Sequence, residues 1–536
     1  MKPQISGQAR LQLATLCAAA IFGSGAGAQT VSPTRTSHSA LVFPGANGHL
    51  VYRAANAPGD TIPDFSHCGY GGGGVALPDV PVKITVAPDG DEKDDLARLQ
   101  AAVEAVSKLA PSATGWRGAV LVKRGRYLLG GSLQIAASGV VLRGEGQGEN
   151  GTVLVATLRQ QHSLIEVKGS GNLREIPGTR QNIVDDYVPV GARSFRVRDA
   201  SRFKIGQAVV VHRPSTAAWI RDLGMDRIPP AKDGGTVQWQ PGSKDLLFER
   251  VVTKIEGSRL TIDAPLVNAL QKQYGGGSVY RSEFAGRLSH VGIENLRGES
   301  EFDPAIRDSS KKDQPGDEKH GWNLIRLSAV RDSWVCEVTS RYFGYSCVNI
   351  TASARSVTVQ DCECLDPVSQ VTGGRRYSFA IAGQLNLVQR CLARSGRHDF
   401  VMGAAVPGPN VFLNCRAQQA YSDSGPHHRW STGTLYDGLT TDGNLNVQNR
   451  GNSGTGHGWA GSQMVFWNCR AGKIDCQKPP TSQNYAIGCV TPNPNGDGFW
   501  EAAGQPVLPV SLYQQQLQDR LGRSAVRNIS RPVQSH

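Results

Sequence analysis

The sequence predicts an all-β fold, a parallel β-helix solenoid, and three observations support this prediction. One short phrase returns along the chain as VTVQDC, LVQRC, VFLNC, VFWNC and YAIGC, at 357–362, 387–391, 411–415, 465–469 and 485–489. Apolar and polar residues alternate in each copy, as in a strand with one buried face. Cys362 to Cys391 is 29 residues and Cys391 to Cys415 is 24, in the range of stacked repeats. A β-sandwich whose strands share a pattern is the alternative, because turn spacing fits both folds.

The first 28 residues have the pattern of a secretory signal peptide. Lys2 and Arg10 supply its positive start, 11–22 its apolar core and 26–28 a small-residue cleavage site. The apolar core is too short to span a bilayer, and no later segment is apolar enough to do so. We therefore expect a secreted or periplasmic protein, cleaved near Ala28 and without a membrane span.

The chain is basic, with 57 Lys and Arg against 45 Asp and Glu and a formal charge of +12. This charge favours an acidic partner, such as an anionic polysaccharide, a nucleic acid or a membrane surface. There is no long Lys/Arg run, which argues against nucleic acid, so the expected partner of a monomeric chain is an acidic polysaccharide. Of the 11 Cys, ten remain after the leader; they suit either disulfides in an exported protein or buried thiols.

The remaining chain divides into five parts. Residues 29–60 are polar without a period and predict a linker. Residues 61–187 are the N-terminal cap and first coils, with a helix after Asp94 whose apolar stripe could cover the open end of the β-helix. Residues 188–268 read as an inserted β subdomain, and 269–500 as the main β-helix with active-site loops. Residues 501–536 are predicted to be a C-terminal capping helix and tail.

Several stretches resemble secreted pectate-lyase-like proteins with a right-handed parallel β-helix. They are 64–74, the helix after Asp94, the phrase KRGRY at 123–127 and the strands through LRGEG at 142–146. The stretches GGRRYSF at 373–379 and SGPHHRW at 424–430 look like a bacterial branch of that group. The resemblance implies a right-handed β-helix over about residues 60–525. It does not decide activity, because the group includes polysaccharide lyases, glycoside hydrolases, epimerases and phage spikes.

The loops between coils from 319 to 460 carry the candidate site. His398 precedes His427 and His428 by 29 and 30 residues, about one coil, so these rings are predicted to face each other. The predicted catalytic residues are His398, His428, Arg429, Tyr377 and Tyr436. The predicted substrate-binding residues are His320, Trp322, Arg375, Arg376, Arg397, His427, Trp430, Arg450, His457 and Trp459. Together they predict a basic, aromatic groove.

Such a groove suits a uronic-acid polymer, because Arg binds a carboxylate through two hydrogen bonds and aromatic rings pack against sugars. β-Elimination next to a carboxylate needs a neutralising cation, a base and an acid. The predicted cation is Arg429 or Arg376. The predicted base is His398 or His428, and the acid is Tyr377 or Tyr436.

Two other functions fit the same fold. A glycoside hydrolase needs two or three carboxylates facing one sugar, and Asp399, Asp423 and Asp437 are its candidates. A non-catalytic carbohydrate-binding surface protein, the second of these functions, would need no catalytic carboxylate.

No metal site is predicted, because adjacent His427 and His428 should point apart on a strand. Calcium, which some pectate lyases of this fold use, is the cofactor that the resemblance raises. Its oxygen ligands would come from scattered residues, namely Asp361, Asp366, Asp399, Asp423, Asp437 and Asp442.

Overall fold

The strand pairing of the computed structural model, which describes residues 37–90, 93–231 and 234–530, is that of a β-helix. Twenty-eight strands join in one parallel sheet system, in which each strand pairs with the strand one coil later. The predicted parallel β-helix is therefore confirmed. Among the described residues, no helix is long and apolar enough to cross a membrane. The predicted signal peptide lies outside the described residues.

The coils wrap around one apolar interior and have three faces. The first face contains strands Val82–Val86, Gly118–Val122, Val140–Arg143, Gly292–Ser300, Val330–Arg341, Arg355–Gln360, Asn386–Gln389, Asn410–Leu413, Thr434–Asp437, Val465–Trp467, Tyr485–Ile487 and Phe499–Glu501. The second contains Gly125–Leu129, Thr152–Ala156, the later parts of Gly292–Ser300 and Val330–Arg341, Glu363–Leu365, Leu392–Arg394, Arg416–Gln418, Thr440–Val447 and Arg470–Cys476. The third contains Leu133–Ile135, His162–Lys168, Gly321–Ser328, Ser346–Ile350, Phe379–Ile381, Phe400–Met402, Asp423–Pro426, the ends of Thr440–Val447 and Arg470–Cys476, and Pro494–Asn495. Short strands Leu288–Ser289, Ser431–Thr432 and Gly461–Ser462 extend this framework.

The repeated phrase ends at a tight bend between the first and second faces. In all five copies of the phrase, the residue before the final Cys has a positive φ: 53° at Asp361, 51° at Arg390, 50° at Asn414, 51° at Asn468 and 67° at Gly488. The Cys that follows turns inward, and all ten described Cys are buried free thiols. The thiols therefore act as small apolar side chains of the core.

A helix at Leu96–Ser107 packs on the first coils through the stripe that the sequence predicts. Its residues Leu99, Val103 and Val106 are buried with Val120 and Leu133 in the interior cluster. The helix so covers apolar surface at the N-terminal end of the coils.

An antiparallel subdomain interrupts the coils, and it is wider than the predicted 188–268. Its strands are Arg174–Glu175, Gln181–Asn182, Tyr187–Val188, Ser194–Arg196, Ala208–Arg213, Leu246–Glu256, Arg259–Ile262, Leu270–Gln271 and Ser278–Glu283, with a helix at Ala217–Asp222 and 3₁₀ turns at Ala200–Arg202 and Lys272–Tyr274. The first of these strands pairs with the last, Arg174 opposite Glu283, so the insertion spans 174–283.

The two ends of the described chain pack together along the first face. Strand Ser37–His38 pairs with Val507–Leu508, and Val42–Pro44 pairs with Leu50–Tyr52. Residues 37–52 are thus not the predicted linker, because their strands are fixed by tertiary pairing. A 3₁₀ turn follows at Tyr70–Gly72.

The C-terminal helices, Leu512–Leu521 and Arg523–Ser530, pack against the side of the coils. Leu512, Tyr513 and Leu517 lie in one cluster with Leu435 and Val465, whose side chains point outward from the first face. A helix therefore lies where the sequence predicted a C-terminal capping helix, but it covers a lateral face of the coils; the predicted tail at 531–536 lies outside the described residues.

Candidate functional site

A row of aromatic rings crosses the third face, one ring per coil. Trp322 and Tyr345 directly precede the paired residues Asn323 and Ser346, and their ring centroids are 6.1 Å apart. Tyr345 stacks on Tyr377 at 5.1 Å. Tyr377 and His398, each two residues before the paired Phe379 and Phe400, are 4.8 Å apart. The register of the coils therefore aligns the row.

The row ends at four histidines, which we call the histidine cluster: His398, His427, His428 and His457. The ring centroids of His398 and His427 are 4.4 Å apart, and His427 lies 5.1 Å from His428 and 4.9 Å from His457. His428 and His457 are 5.1 Å apart. The predicted approach of His398 to the His427–His428 pair is what the structure shows.

One carboxylate, that of Asp423, lies inside the histidine cluster. Arg450 donates to Asp423 Oδ2 through Nη1 at 2.8 Å, and His398 Nδ1 lies 3.4 Å from Asp423 Oδ1. Burial disfavours the charge of Asp423, but the hydrogen bond and charge of His398, with Arg450, hold its pKa well below its usual range. Asp423 is therefore an anion among cations and neutral rings.

The outer histidines are held neutral. Burial, together with the charges of His457 and Arg429, lowers the pKa of His428 to about 3. Burial and the charges of Arg450 and Arg429 lower the pKa of His457 to about 4. Burial likewise lowers the pKa of His427. Uncharged imidazoles have one free lone pair each, so the cluster offers ligands or proton acceptors rather than fixed charges.

A basic wall borders the histidine cluster on the side of the inserted subdomain. The backbone N–H of Arg429 donates to the carbonyl of His457 at 3.1 Å, and its guanidinium donates to the Thr455 hydroxyl. Lys244, from the subdomain, is near enough that its charge lowers the pKa of His428. Arg397 approaches from the row and acts electrostatically on both Tyr377 and His457.

Three predicted aromatic site residues lie elsewhere. Tyr436 is fully buried in the solenoid interior, 5.0 Å from Phe412, so the prediction that it is a catalytic acid is wrong. Trp430 is fully buried 4.9 Å from Trp219, and Trp459 joins the same apolar cluster of the inserted subdomain. Neither indole offers a face to a sugar, because each fills the contact between the insertion and the coils.

Three predicted polar site residues have structural partners. His320 is buried and bonded to Ser300, with its other nitrogen near backbone carbonyls. Arg376 is buried and donates to the carbonyl of Ser369 at 2.7 Å. Arg375 is paired with Glu318. These side chains hold the loops of 303–376 together. The predicted contacts of His320 and Arg376 with a substrate are therefore wrong.

The structure thus brings together Tyr377, Arg397, His398, His427, His428, Arg429, Arg450 and His457, with Trp322 at the far end of the row. The sequence reasoning missed Tyr345, which could have been found by aligning it with Trp322 23 residues earlier. It also missed Lys244, for which the sequence contains no signal because the insertion folds back from a distant part of the chain.

The six aspartates considered as calcium ligands do not gather within the described residues. Asp361 pairs with Arg390, and Asp366 pairs with Arg394. Asp399 accepts from Ser378, and Asp437 accepts from Ser511 and the backbone N–H of Tyr513. Asp442 accepts from backbone N–H groups at a bend. Because Ca²⁺ requires six to eight oxygen ligands around one point, these residues do not fit a calcium site.

No family model and no curated protein matches the sequence. The solved structures similar to this chain include a tailspike of Acinetobacter baumannii bacteriophage AP22 in complex with a capsular saccharide. It is 10% identical, with a TM-score of 0.29, over 75% of this chain and 74% of that chain. An alginate lyase from Paenibacillus is 7% identical, with a TM-score of 0.35, over 79% of this chain and 99% of its own.

A polygalacturonase from Erwinia carotovora is 9% identical, with a TM-score of 0.32, over 81% of this chain and 98% of its own. Similarities this low carry no argument about activity, and the fold follows from the strand pairing itself.

Proposed function

We propose that the protein is a carbohydrate-active enzyme that cleaves an acidic polysaccharide by β-elimination. The observation that carries this proposal is the convergence of imidazoles, a phenol and guanidiniums around a single carboxylate. Arg429 and Arg397 supply positive charge for a uronate, whereas Arg450 is paired with Asp423. The row of Trp322, Tyr345 and Tyr377 supplies flat apolar faces for sugar rings.

The proposed chemistry breaks two bonds and forms one double bond. A base removes the proton from the carbon next to the uronate carboxylate, the bond to the glycosidic oxygen at the neighbouring carbon breaks, and an acid protonates that oxygen. His428 is the proposed base, because its ring is neutral and only half-buried, whereas His398 is fully buried. Arg429, the adjacent residue, is the proposed neutralising cation.

Tyr377 is the proposed acid. Burial raises the pKa of its phenol, although the charge of Arg397 opposes that shift. The phenol therefore keeps its proton near neutral pH and can donate it to a leaving oxygen. A bound polyanion would offset the cations around His428 and so raise its pKa towards the working range.

Elimination fits the geometry better than hydrolysis by paired carboxylates. Asp399 is occupied by Ser378, Asp437 by the C-terminal helix and Asp423 by Arg450 and His398. An inverting or retaining hydrolase needs two carboxyl groups facing one glycosidic bond. The apolar pattern of residues 1–28 supports the further proposal that the enzyme is exported.

The test is ultraviolet absorbance from unsaturated products on a panel of pectin, alginate, glucuronan and ulvan. We expect absorbance with at least one polymer, and a loss of at least about 100-fold in His428→Ala and Tyr377→Phe, the range of one acid–base group. His49→Ala is the matched control, because that side chain is 60% exposed and far along the chain. Reducing ends without absorbance would identify a hydrolase, and binding without any product would identify a carbohydrate-binding protein.

A further inference from the structure

We propose that His398, Asp423 and His427 form a binding site for a divalent transition-metal ion. One ring nitrogen of each histidine and one carboxylate oxygen of Asp423 all lie within 4.8 Å of one another. In a tetrahedral site with bonds of about 2.0–2.1 Å, ligand atoms are about 3.3 Å apart. The ligand atoms of this group, which are separated by up to 4.8 Å, therefore need side-chain rotation to close around an ion.

Unpartnered nitrogens within the same group point independently to a missing ligand. His398 is fully buried, yet its Nε2 atom has no hydrogen-bond partner. His427 is 7% exposed, and its Nδ1 atom also has none. Buried polar atoms are nearly always paired, because an unpaired one loses its hydration without compensation. Two such atoms, in rings that lie beside one carboxylate, are explained if a cation is their partner.

The surroundings orient the ligands as outer residues of metal sites do. His398 donates its Nδ1–H to the backbone carbonyl of Asp423 at 2.9 Å, because that oxygen can only accept. With the Nδ1 atom donating this bond, the ring atom that can bind a metal ion is Nε2. Arg450 holds Asp423 Oδ2 at 2.8 Å, and Ser422 donates to Oδ1 at 2.9 Å, so the carboxylate has one rotamer.

The ligand chemistry selects the class of metal. Two imidazoles and one carboxylate suit Zn²⁺ and its transition-metal neighbours, whereas Ca²⁺ and Mg²⁺ take oxygen ligands. Three protein ligands also leave a coordination position open, as in catalytic zinc sites. Resting on the proposed function, we place the carboxylate of a uronate at that position, where the ion would add to the charge of Arg429.

The experiment is calorimetric titration of the metal-stripped full chain with Zn²⁺ and with Ca²⁺. We expect one Zn²⁺ per chain and no saturable Ca²⁺ binding. Asp423→Asn and His427→Ala should each weaken Zn²⁺ binding by more than the about 10–100-fold that loss of an outer hydrogen-bond partner costs. His49→Ala should bind as the wild type does. Equal Zn²⁺ affinity in His427→Ala, or absence of stoichiometric binding, would overturn the proposal.

A spectroscopic measurement on the wild type does not depend on how the variants fold. Co²⁺ in a four- or five-coordinate nitrogen and oxygen site absorbs visible light far more strongly than Co²⁺ in water. We expect that intense band, and its disappearance when one equivalent of Zn²⁺ is added. A spectrum identical to aqueous Co²⁺ contradicts the site. Metal binding without ultraviolet-absorbing products would leave this site standing and refute the elimination instead.

Discussion

The alternation of apolar and polar residues along a strand predicted the positions of some site residues correctly and of others wrongly. Single residues show the reason. In strand Thr434–Asp437, Leu435 packs outward under the C-terminal helix, while Tyr436 packs inward. Both faces of the strand are therefore apolar, and the alternation that marks an inner face is lost. Tyr377 precedes strand Phe379–Ile381, is 8% exposed, and places its ring against His398 and His427. One tyrosine therefore lies in the interior of the coils and the other lies beside the histidine cluster.

The buried carboxyl group of Asp437 leads to a prediction about how stability depends on pH. It is fully buried, and burial raises the pKa of its carboxyl to about 7, although hydrogen bonds from Tyr513 and Ser511 oppose the shift. Because the folded pKa exceeds the unfolded value of about 3.9, its stabilising protonation is complete below pH 4 and is lost as the pH rises through 7. We expect the unfolding free energy of Asp437→Asn, relative to the wild type, to increase by a few kcal/mol between pH 4 and 8, at about 1.4 kcal/mol per pKa unit.

Urea unfolding at several pH values measures this difference. Asn keeps an oxygen that can accept from Ser511 and Tyr513. If the two proteins have parallel pH profiles, the carboxyl is ionised in the folded chain and the assignment is wrong.

At the scale of the element, the repeated phrase is explained by the bend that ends it. The residue before the inward Cys adopts the left-handed conformation, which Asn and Gly tolerate best. The phrase in the sequence therefore combines a buried strand, a left-handed residue and a small core residue. Because these three features are adjacent in the sequence, the fold could be predicted from short segments. Arg390 and Glu337 adopt the same left-handed conformation, with φ of 51° and 50°, although neither residue is Asn or Gly.

Asn414 tests this explanation. Its side chain is exposed, so a substitution acts mainly through the backbone. We expect Asn414→Val to lower the free energy of unfolding by about 1–2 kcal/mol, because a β-branched residue is strained at a φ of 50°. Asn414→Gly is the matched variant and should cost only a few tenths of a kcal/mol. Denaturant unfolding measures both, and equal losses would mean that the amide contacts matter and the backbone does not.

Within the whole molecule, the inserted subdomain forms part of the site. Its loops meet the loop at 452–458: the backbone N–H of Val237 donates to the Thr455 carbonyl, and Asn452 donates to the Pro230 carbonyl. Gly458 has no room for a side chain, since a Cβ would lie 2.4 Å from the sulfur of Met225. The insertion therefore supports the loop that carries His457, and it brings Lys244 to the cluster.

Substitution of Trp430 tests how strongly the inserted subdomain is attached to the coils. Its indole is fully buried against Trp219 of the subdomain. We expect Trp430→Ala to cost about 3–5 kcal/mol, as large-to-small changes in cores do, and to expose 174–283 to proteolysis. Trp322→Ala should cost less, because that ring is half-buried, and should weaken polysaccharide binding. Unchanged protease resistance in Trp430→Ala would contradict the proposed attachment.

The sequence predicted more of the repeating architecture than of the site. Coil spacing placed His398 beside His427, because residues about one coil apart in sequence are stacked next to each other. It failed at Trp430 and Trp459, whose partners come from the insertion. No local pattern encodes that contact, since residues about 200 positions apart along the chain meet there. The roles of the cluster residues stay predictions.

The pairing of Ser37 with Val507 determines when the fold can be completed during synthesis of the chain. The first described strand cannot pair with its neighbour until residue 507 has been synthesised, whatever order the coils follow. Synthesis from the amino end therefore completes this pairing only after the described strands of the coils, the last of which ends at Glu501. A chain stopped before residue 507 would lose this pairing together with the C-terminal helices. Its leading segment and the outer apolar residues of the first face would then be open to proteases and to pairing with other molecules.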